Sequence, residues 1–238
     1  MSSQKQILEM LSVPHKDRDI QWEANFLKTL PAANISLMAQ APQAGPDQFP
    51  YMFIEIKEDS TEPAINLLKW ISENGIGLAI NPTKSFPDFV LTYGMIWNYI
   101  KNGLFLENSL PKAHAHSDSH DPNHKHGPNC NHGHSHEQEQ SIEAGVEFYI
   151  GAPSEGFLPK PVRTVLREFL KQQGVMAPKI IMISPDKVKF DLCFSIESFG
   201  SPKAEEHEGI LQALSWFLPA HYSLAFVSEN GIPSFEEL

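Results

Sequence analysis

A polar stretch in the middle of the chain limits what this sequence can fold into. From His114 to His136 it contains no aromatic or branched apolar residue, and Gly, Pro, Asn and Ser separate its other side chains. A segment of this composition cannot bury enough apolar surface to offset the conformational entropy lost on folding. The sequence therefore predicts a disordered linker over residues 111–141, with packed structure in residues 1–110 and 142–238.

The same linker concentrates side chains that bind transition metals. It holds eight of the 11 histidines and one of the 2 cysteines of the chain. The nine candidate ligands are His114, His116, His120, His124, His126, Cys130, His132, His134 and His136. Imidazole and thiolate suit divalent zinc, nickel and copper, and nine redundant ligands favour exchangeable binding over a four-ligand structural site. We expect zinc first, with nickel or copper as alternatives; a solvated spacer with incidental histidines is the competing interpretation.

The length, charge and cysteine content of the chain disfavour several classes of protein. The chain has 238 residues, of which 41% are hydrophobic, enough for one large or two small cores. Its 18 basic and 29 acidic residues give a net charge of -11, which disfavours nucleic acid and anionic membranes as partners. No apolar run approaches the roughly 20 residues of a membrane span. Two distant cysteines do not suggest a disulfide framework, so we expect a reduced, cytoplasmic protein.

Residues 1–110 carry the periodic patterns of a small α/β-sandwich domain. Apolar residues at helical spacing predict two helices before Pro31, and Asp19 is placed to cap the second. A third helix is predicted to end at Gly75. Strands are predicted over residues 35–38, 51–56 and 76–80.

The region from Phe86 to Phe105 is dense in aromatic residues, and strand and helix periods compete within it. Its side chains permit two interpretations. They could line a pocket, since rings with polar tips suit ligand binding, or they could close the hydrophobic core of the domain. The residues concerned are Tyr93, Trp97, Asn98 and Tyr99.

Residues 142–238 predict a second α/β-sandwich domain with the element order β-α-β-β-α-β. That order is typical of a ferredoxin-like fold, with two helices on one face of an antiparallel sheet. Alternation along the strand of residues 188–196 directs Cys193 away from the core or into a domain interface. His207 and His221 have no partner at ligand spacing and are predicted to be surface or hydrogen-bonded histidines. The fold class expected for the whole chain is α+β.

Short motifs in both halves resemble a known family. Gly75-Ile-Gly-Leu-Ala-Ile-Asn81-Pro82, preceded by Phe49-Pro-Tyr-Met-Phe-Ile-Glu, is similar to the N-terminal domain of the bacterial SseB (enhanced serine sensitivity) proteins. Ile150-Gly151-Ala-Pro-Ser-Glu is similar to the C-terminal domain of that family. The resemblance implies a soluble bacterial accessory protein and supplies no catalytic residues. The His-rich insert departs from the family pattern.

Three functions are compatible with these features. The first is a non-enzymatic protein whose linker binds a divalent transition metal while its folded halves mediate interaction with a protein partner or regulation. The second is an interaction protein of the SseB type with an incidental linker. The third is an enzyme with its site in the aromatic region around Tyr93.

Overall fold

The computed structural model describes residues 2–82, 86–106, 148–232 and 234–238, and these have an α+β architecture. The predicted linker over residues 111–141 lies outside them. The helices are α1 Ser3–Leu11, α2 Ile20–Thr29, α3 Ala64–Asn74, α4 Tyr93–Asn102, α5 Lys160–Gln172 and α6 Ala204–Ser215. The strands are β1 Asn34–Leu37, β2 Gln43–Ala44, β3 Pro50–Glu55, β4 Glu62–Pro63, β5 Gly77–Ile80, β6 Phe89–Leu91, β7 Tyr149–Gly151, β8 Lys179–Ser184, β9 Asp191–Ser195, β10 Ser223–Val227 and β11 Glu236–Glu237. Within the described residues, no helix is long and apolar enough to cross a membrane.

Local sequence signals set the ends of the helices in the first half. The Asp19 carboxylate accepts a hydrogen bond from the backbone N–H of Trp22 at 2.7 Å, which confirms the predicted cap of α2. Gly75 ends α3 with φ +67°, as expected for a left-handed stop. The ambiguous aromatic region divides at Thr92, whose side chain caps α4, so that β6 precedes the cap and a helix follows it.

The first sheet has the strand order β4-β1-β3-β5-β6, with β2 also paired to β3. β3 and β5 are parallel neighbours joined by α3, whereas β1 and β6 run antiparallel to them. Along β3, Met52 and Ile54 belong to the core of the first half, while Tyr51 belongs to a core shared with the second half. Both faces of this sheet are therefore covered, which explains why every residue of β5 is buried.

The second sheet confirms the predicted order β-α-β-β-α-β but not the predicted pairing. β8 pairs antiparallel with β9, with β7 and, at its start, with β11. β9 and β10 are adjacent and parallel, so the sheet is not the fully antiparallel one expected of a ferredoxin-like domain. The physical reason is the crossover through α6, which returns the chain to the end where β9 began. β10 then adds to the side of β9 that β8 leaves open.

Each half contains the same supersecondary unit. In the first half α2, β1, β3, α3 and β5 form a helix, an antiparallel strand pair, a second helix and a parallel third strand. In the second half α5, β8, β9, α6 and β10 repeat that succession and that pairing. The two halves are thus two versions of one α-β-β-α-β unit, a similarity that their sequences do not display as a repeat.

The two halves pack directly against each other. Tyr51, Tyr93 and Trp97 of the first half share a buried apolar cluster with side chains from the second. Members of that cluster from the second half include Leu158, Val162, Leu166, Leu170, Leu214, Trp216, Phe217 and Leu218. The backbone N–H of Gly94 donates to the carbonyl of Trp216 at 3.1 Å. Residues 107–147 therefore join two parts of one packed body.

Candidate functional site

The nine predicted metal ligands all lie outside the described residues. The residues on either side of that segment are well packed. Phe105 is buried and stacks on Tyr99 with ring centroids 4.2 Å apart, next to the left-handed Gly103 that ends α4. Phe148 packs against Ile181 and Ile183 on the second sheet. Of the residues that the structure describes on either side of positions 107–147, Phe105 and Phe148 thus both make hydrophobic contacts.

His207 and Cys193, which lie outside the predicted linker, make packing contacts within the second half. His207 lies 3.1 Å through Nε2 from the carbonyl oxygen of Pro202 and packs against Phe226, which confirms a hydrogen-bonded histidine. Cys193 is buried with Ile181 and Ile183 on the sheet face opposite the shared core. Burial, with a contribution from Asp191, raises the pKa of the Cys193 thiol to about 12, so it stays protonated at neutral pH. Among the described residues, no group of three or more His, Cys, Asp or Glu side chains could hold a metal ion.

The aromatic region around α4 forms part of the core between the halves. Tyr93, Trp97 and Asn98 are all buried, at 0%, 7% and 2% exposure. Tyr93 lies against Trp216 and Phe217, and Trp97 meets Tyr222 edge to face. These side chains close the hydrophobic core, the second of the two interpretations offered by the sequence.

Two tyrosine hydroxyls in this core differ in their hydrogen bonding. The Tyr51 hydroxyl donates to Asp47 Oδ2 at 2.6 Å and accepts from Trp216 Nε1 at 2.8 Å. Burial, reinforced by the Asp47 hydrogen bond, holds the pKa of Tyr51 well above its usual value. The Tyr93 hydroxyl is fully buried and has no hydrogen-bond partner among the described residues, and burial raises its pKa to about 12. Both groups are neutral at physiological pH, but only Tyr51 is satisfied.

This difference predicts opposite effects of removing the two hydroxyls. Tyr93→Phe is expected to raise the free energy of unfolding by about 1 kcal/mol, because it deletes a buried polar group that has no partner. Tyr51→Phe is expected to lower it by about 1–3 kcal/mol, because the Trp216 indole N–H is left unsatisfied. Urea denaturation of the two variants measures both values. Equal losses would contradict the assignment of an unpartnered hydroxyl to Tyr93.

A buried carboxylate connects the loop between α1 and α2 to the first sheet, and the sequence did not predict it. The Asp88 side chain is 1% exposed and receives Arg18 Nη2 on Oδ1 at 2.9 Å and Asn81 Nδ2 on Oδ2 at 2.8 Å. Arg18 Nη1 also donates to the Asp88 carbonyl at 2.6 Å, and His15 Nε2 lies 3.6 Å from Oδ1. Because both carboxylate oxygens accept hydrogen bonds, this network fixes β6 to the loop before α2. No local signal could reveal it, since Arg18 and Asp88 are 70 residues apart.

A second polar network lies at the end of β9. The buried Ser195 hydroxyl donates to Glu229 at 2.6 Å, and Lys179 Nζ lies 2.9 Å from the same carboxylate. The Ser195 hydrogen bond, followed by the Lys179 contact, lowers the pKa of the Glu229 carboxyl. A carboxylate stabilised in this way is a weak base and is poorly suited to activate a serine nucleophile. The Ser195 oxygen also accepts from the Ser198 backbone N–H, so the network caps the turn after β9.

Comparisons of the chain with protein-family models, curated proteins and solved structures found no match. The resemblance of residues 49–55, 75–82 and 150–155 to SseB domains therefore stays a prediction.

Proposed function

We propose that this protein is a non-enzymatic accessory protein that binds a divalent transition metal through residues 114–136. Its folded halves mediate interaction with a protein partner or regulation, in a bacterial cytoplasmic setting of the SseB type. The observation that carries the proposal is the density of ligands: eight imidazoles and one thiol within 23 residues, counted from His114 to His136. Zinc is the first candidate, and nickel and copper share the same ligand preferences.

The donor chemistry elsewhere in the chain supports this assignment. Cys193 is buried with a raised pKa, and the His207 ring is engaged with a backbone carbonyl. These two side chains are therefore poorer metal donors than those between His114 and His136. Since nine candidates exceed one tetrahedral shell, ligands can exchange within the segment, which suits a buffer or a sensor.

Calorimetric titration with Zn²⁺, Ni²⁺ and Cu²⁺ at pH 7.5 and 5.5 tests the metal site. Imidazoles with a pKa near ~6.5 must be neutral to bind, so affinity is expected to fall roughly tenfold between these pH values for each coordinated histidine. Metal affinity falls as the pH falls because protons compete with the metal: the imidazoles are mostly neutral above that pKa and mostly protonated below it. Deleting residues 113–136 is expected to abolish binding.

A length-matched control separates ligand chemistry from loop length. In this variant the eight histidines of the segment become Gln and Cys130 becomes Ser. It should unfold at the same temperature as the native chain without metal and bind none. Metal binding that shifts unfolding of the native chain indicates a switch, and binding without a shift indicates a buffer. Equal binding by the native chain and this variant, or none by the native chain, overturns the metal function and leaves the SseB-type interaction protein.

A further inference from the structure

A cleft lies between the edge of the first sheet and α3. Its volume is about 560 Å³. The buried side chains of Ile35, Met52 and Leu67 contribute an apolar lining. Leu37 on β1 and Trp70 on α3 also line it, with 48% and 45% of their surfaces exposed. A half-exposed tryptophan beside an apolar cleft leaves a large area available for a ligand to bury.

Within the part of the chain that the structure describes, β1 has an unpaired edge at Leu37, beside this cleft. β4 pairs with β1 only at Asn34 and Ile35. Leu37 pairs with β3 on the other side, and the next backbone N–H, that of Met38, donates to Phe53 O at 3.0 Å. Because hydrogen-bonded and non-hydrogen-bonded pairs alternate along an antiparallel ladder, the N–H and C=O of Leu37 point away from β3. They face the β4 side of β1, beyond the pair of Ile35 with Glu62, the first residue of β4.

The charge beside the cleft is negative. Among its described lining residues, Glu62 is the one that carries a charge. The Glu62 carboxylate accepts a hydrogen bond from Asn66 at 3.1 Å, and within the described residues no cation forms an ion pair with it. A basic side chain on a ligand would complement this side of the cleft.

We propose that the cleft binds an extended segment of a protein partner, which adds as a strand to β1 at Leu37. Apolar side chains at alternate positions of the segment enter the cleft against Leu67 and Trp70, and a basic side chain lies beside Glu62. An open strand edge selects an extended backbone, and the period of two directs every second side chain to one face. The inference rests on the interaction part of the proposed function and is independent of the metal part.

Selection from a phage library of random 12-residue peptides against the full chain, in EDTA, tests the proposal. The expected result is enrichment of peptides with alternating apolar residues and at least one Lys or Arg. Trp70→Ala is expected to weaken binding of the selected peptides at least tenfold. Met176→Ala removes a side chain that is 71% exposed on the second half and should leave binding unchanged.

Backbone pairing is tested with two forms of the best selected peptide. Methylating the amides at one set of alternate positions should abolish binding, and methylating the other set should preserve it, since only one set faces β1. Leu37→Pro removes the strand-edge donor and should also weaken binding, with circular dichroism to confirm the fold. No enrichment, binding indifferent to Trp70→Ala, or equal loss with both methylated peptides overturns the proposal. So does concentration-dependent dimerisation that Trp70→Ala abolishes, because a second copy would then occupy the cleft.

Discussion

Gly94→Ala is expected to lower the free energy of unfolding by about 3 kcal/mol, because the added methyl group overpacks a buried contact between the two halves. A Cβ at this position would lie 2.0 Å from the carbonyl oxygen of Leu218 and 2.6 Å from its backbone nitrogen. Backbone cannot rotate out of the way as a side chain can, so the two halves must separate locally or α4 must shift. Either response weakens the Gly94 N–H to Trp216 O hydrogen bond.

Gly209→Ala is the matched control, because a Cβ there meets no atom within 4 Å. Gly209 is exposed within α6, and alanine should raise the free energy of unfolding by roughly 0.5–1 kcal/mol through helix propensity. Urea denaturation monitored by tryptophan fluorescence follows both variants, since Trp216 lies at the interface. A Gly94→Ala variant as stable as the native chain would show that the halves are not packed as described.

Asp88→Ala is expected to lower the free energy of unfolding by about 3–5 kcal/mol. The substitution leaves the Arg18 guanidinium, whose side chain is 7% exposed, without its anionic partner. Removing one member of a buried ion pair leaves the other charge uncompensated, which costs more than the intact pair contributes. Arg18 also lies 4.5 Å from the centroid of the Trp22 ring, so its displacement would disturb the packing of α2.

Two further variants locate the cause of that loss. Lys5→Ala breaks an exposed pair with Glu9 and should change stability by less than about 0.5 kcal/mol. Replacing both Asp88 and Arg18 by apolar residues should cost less than the sum of the two single substitutions, since no charge is then left buried. Additive losses measured by thermal denaturation would indicate that Asp88 acts through contacts other than Arg18.

The two halves that residues 107–147 connect share a core. Phe105 before these residues stacks on Tyr99, and Phe148 after them packs against the second sheet. Metal bound within the segment would therefore be carried by one packed body rather than by two independent domains.

Much of the fold was predictable from the sequence because its signals are local. Nearby residues specify the helix cap at Asp19 and the helix end at Gly75. They also specify the order of strands and helices after residue 148. Strand pairing was not predictable from such local signals. β9 and β10 are parallel neighbours because α6 spans between them, and periodicity alone does not specify on which side of a sheet a strand adds.

One of the two candidate sites was predictable from the sequence and the other was not. Ligand density between His114 and His136 is a property of composition, so the metal-binding hypothesis needs no folded structure. The cleft beside Leu37 and Trp70 was not visible in the sequence, because it depends on where the pairing of β1 with β4 stops. An exposed Trp on an amphipathic helix was the one signal that could have indicated it.

By itself the sequence determined the α+β class and most helix and strand positions. It also identified a segment whose side chains suit transition metals. These features depend on propensity, capping and ligand identity, which act over a few residues. Only the tertiary structure decided that the halves share a core, that Tyr93 and Trp97 belong to it, and that Arg18 meets Asp88. These contacts join residues far apart in the chain. They form when loop entropy is offset by burial of apolar surface common to both halves, which no local pattern encodes.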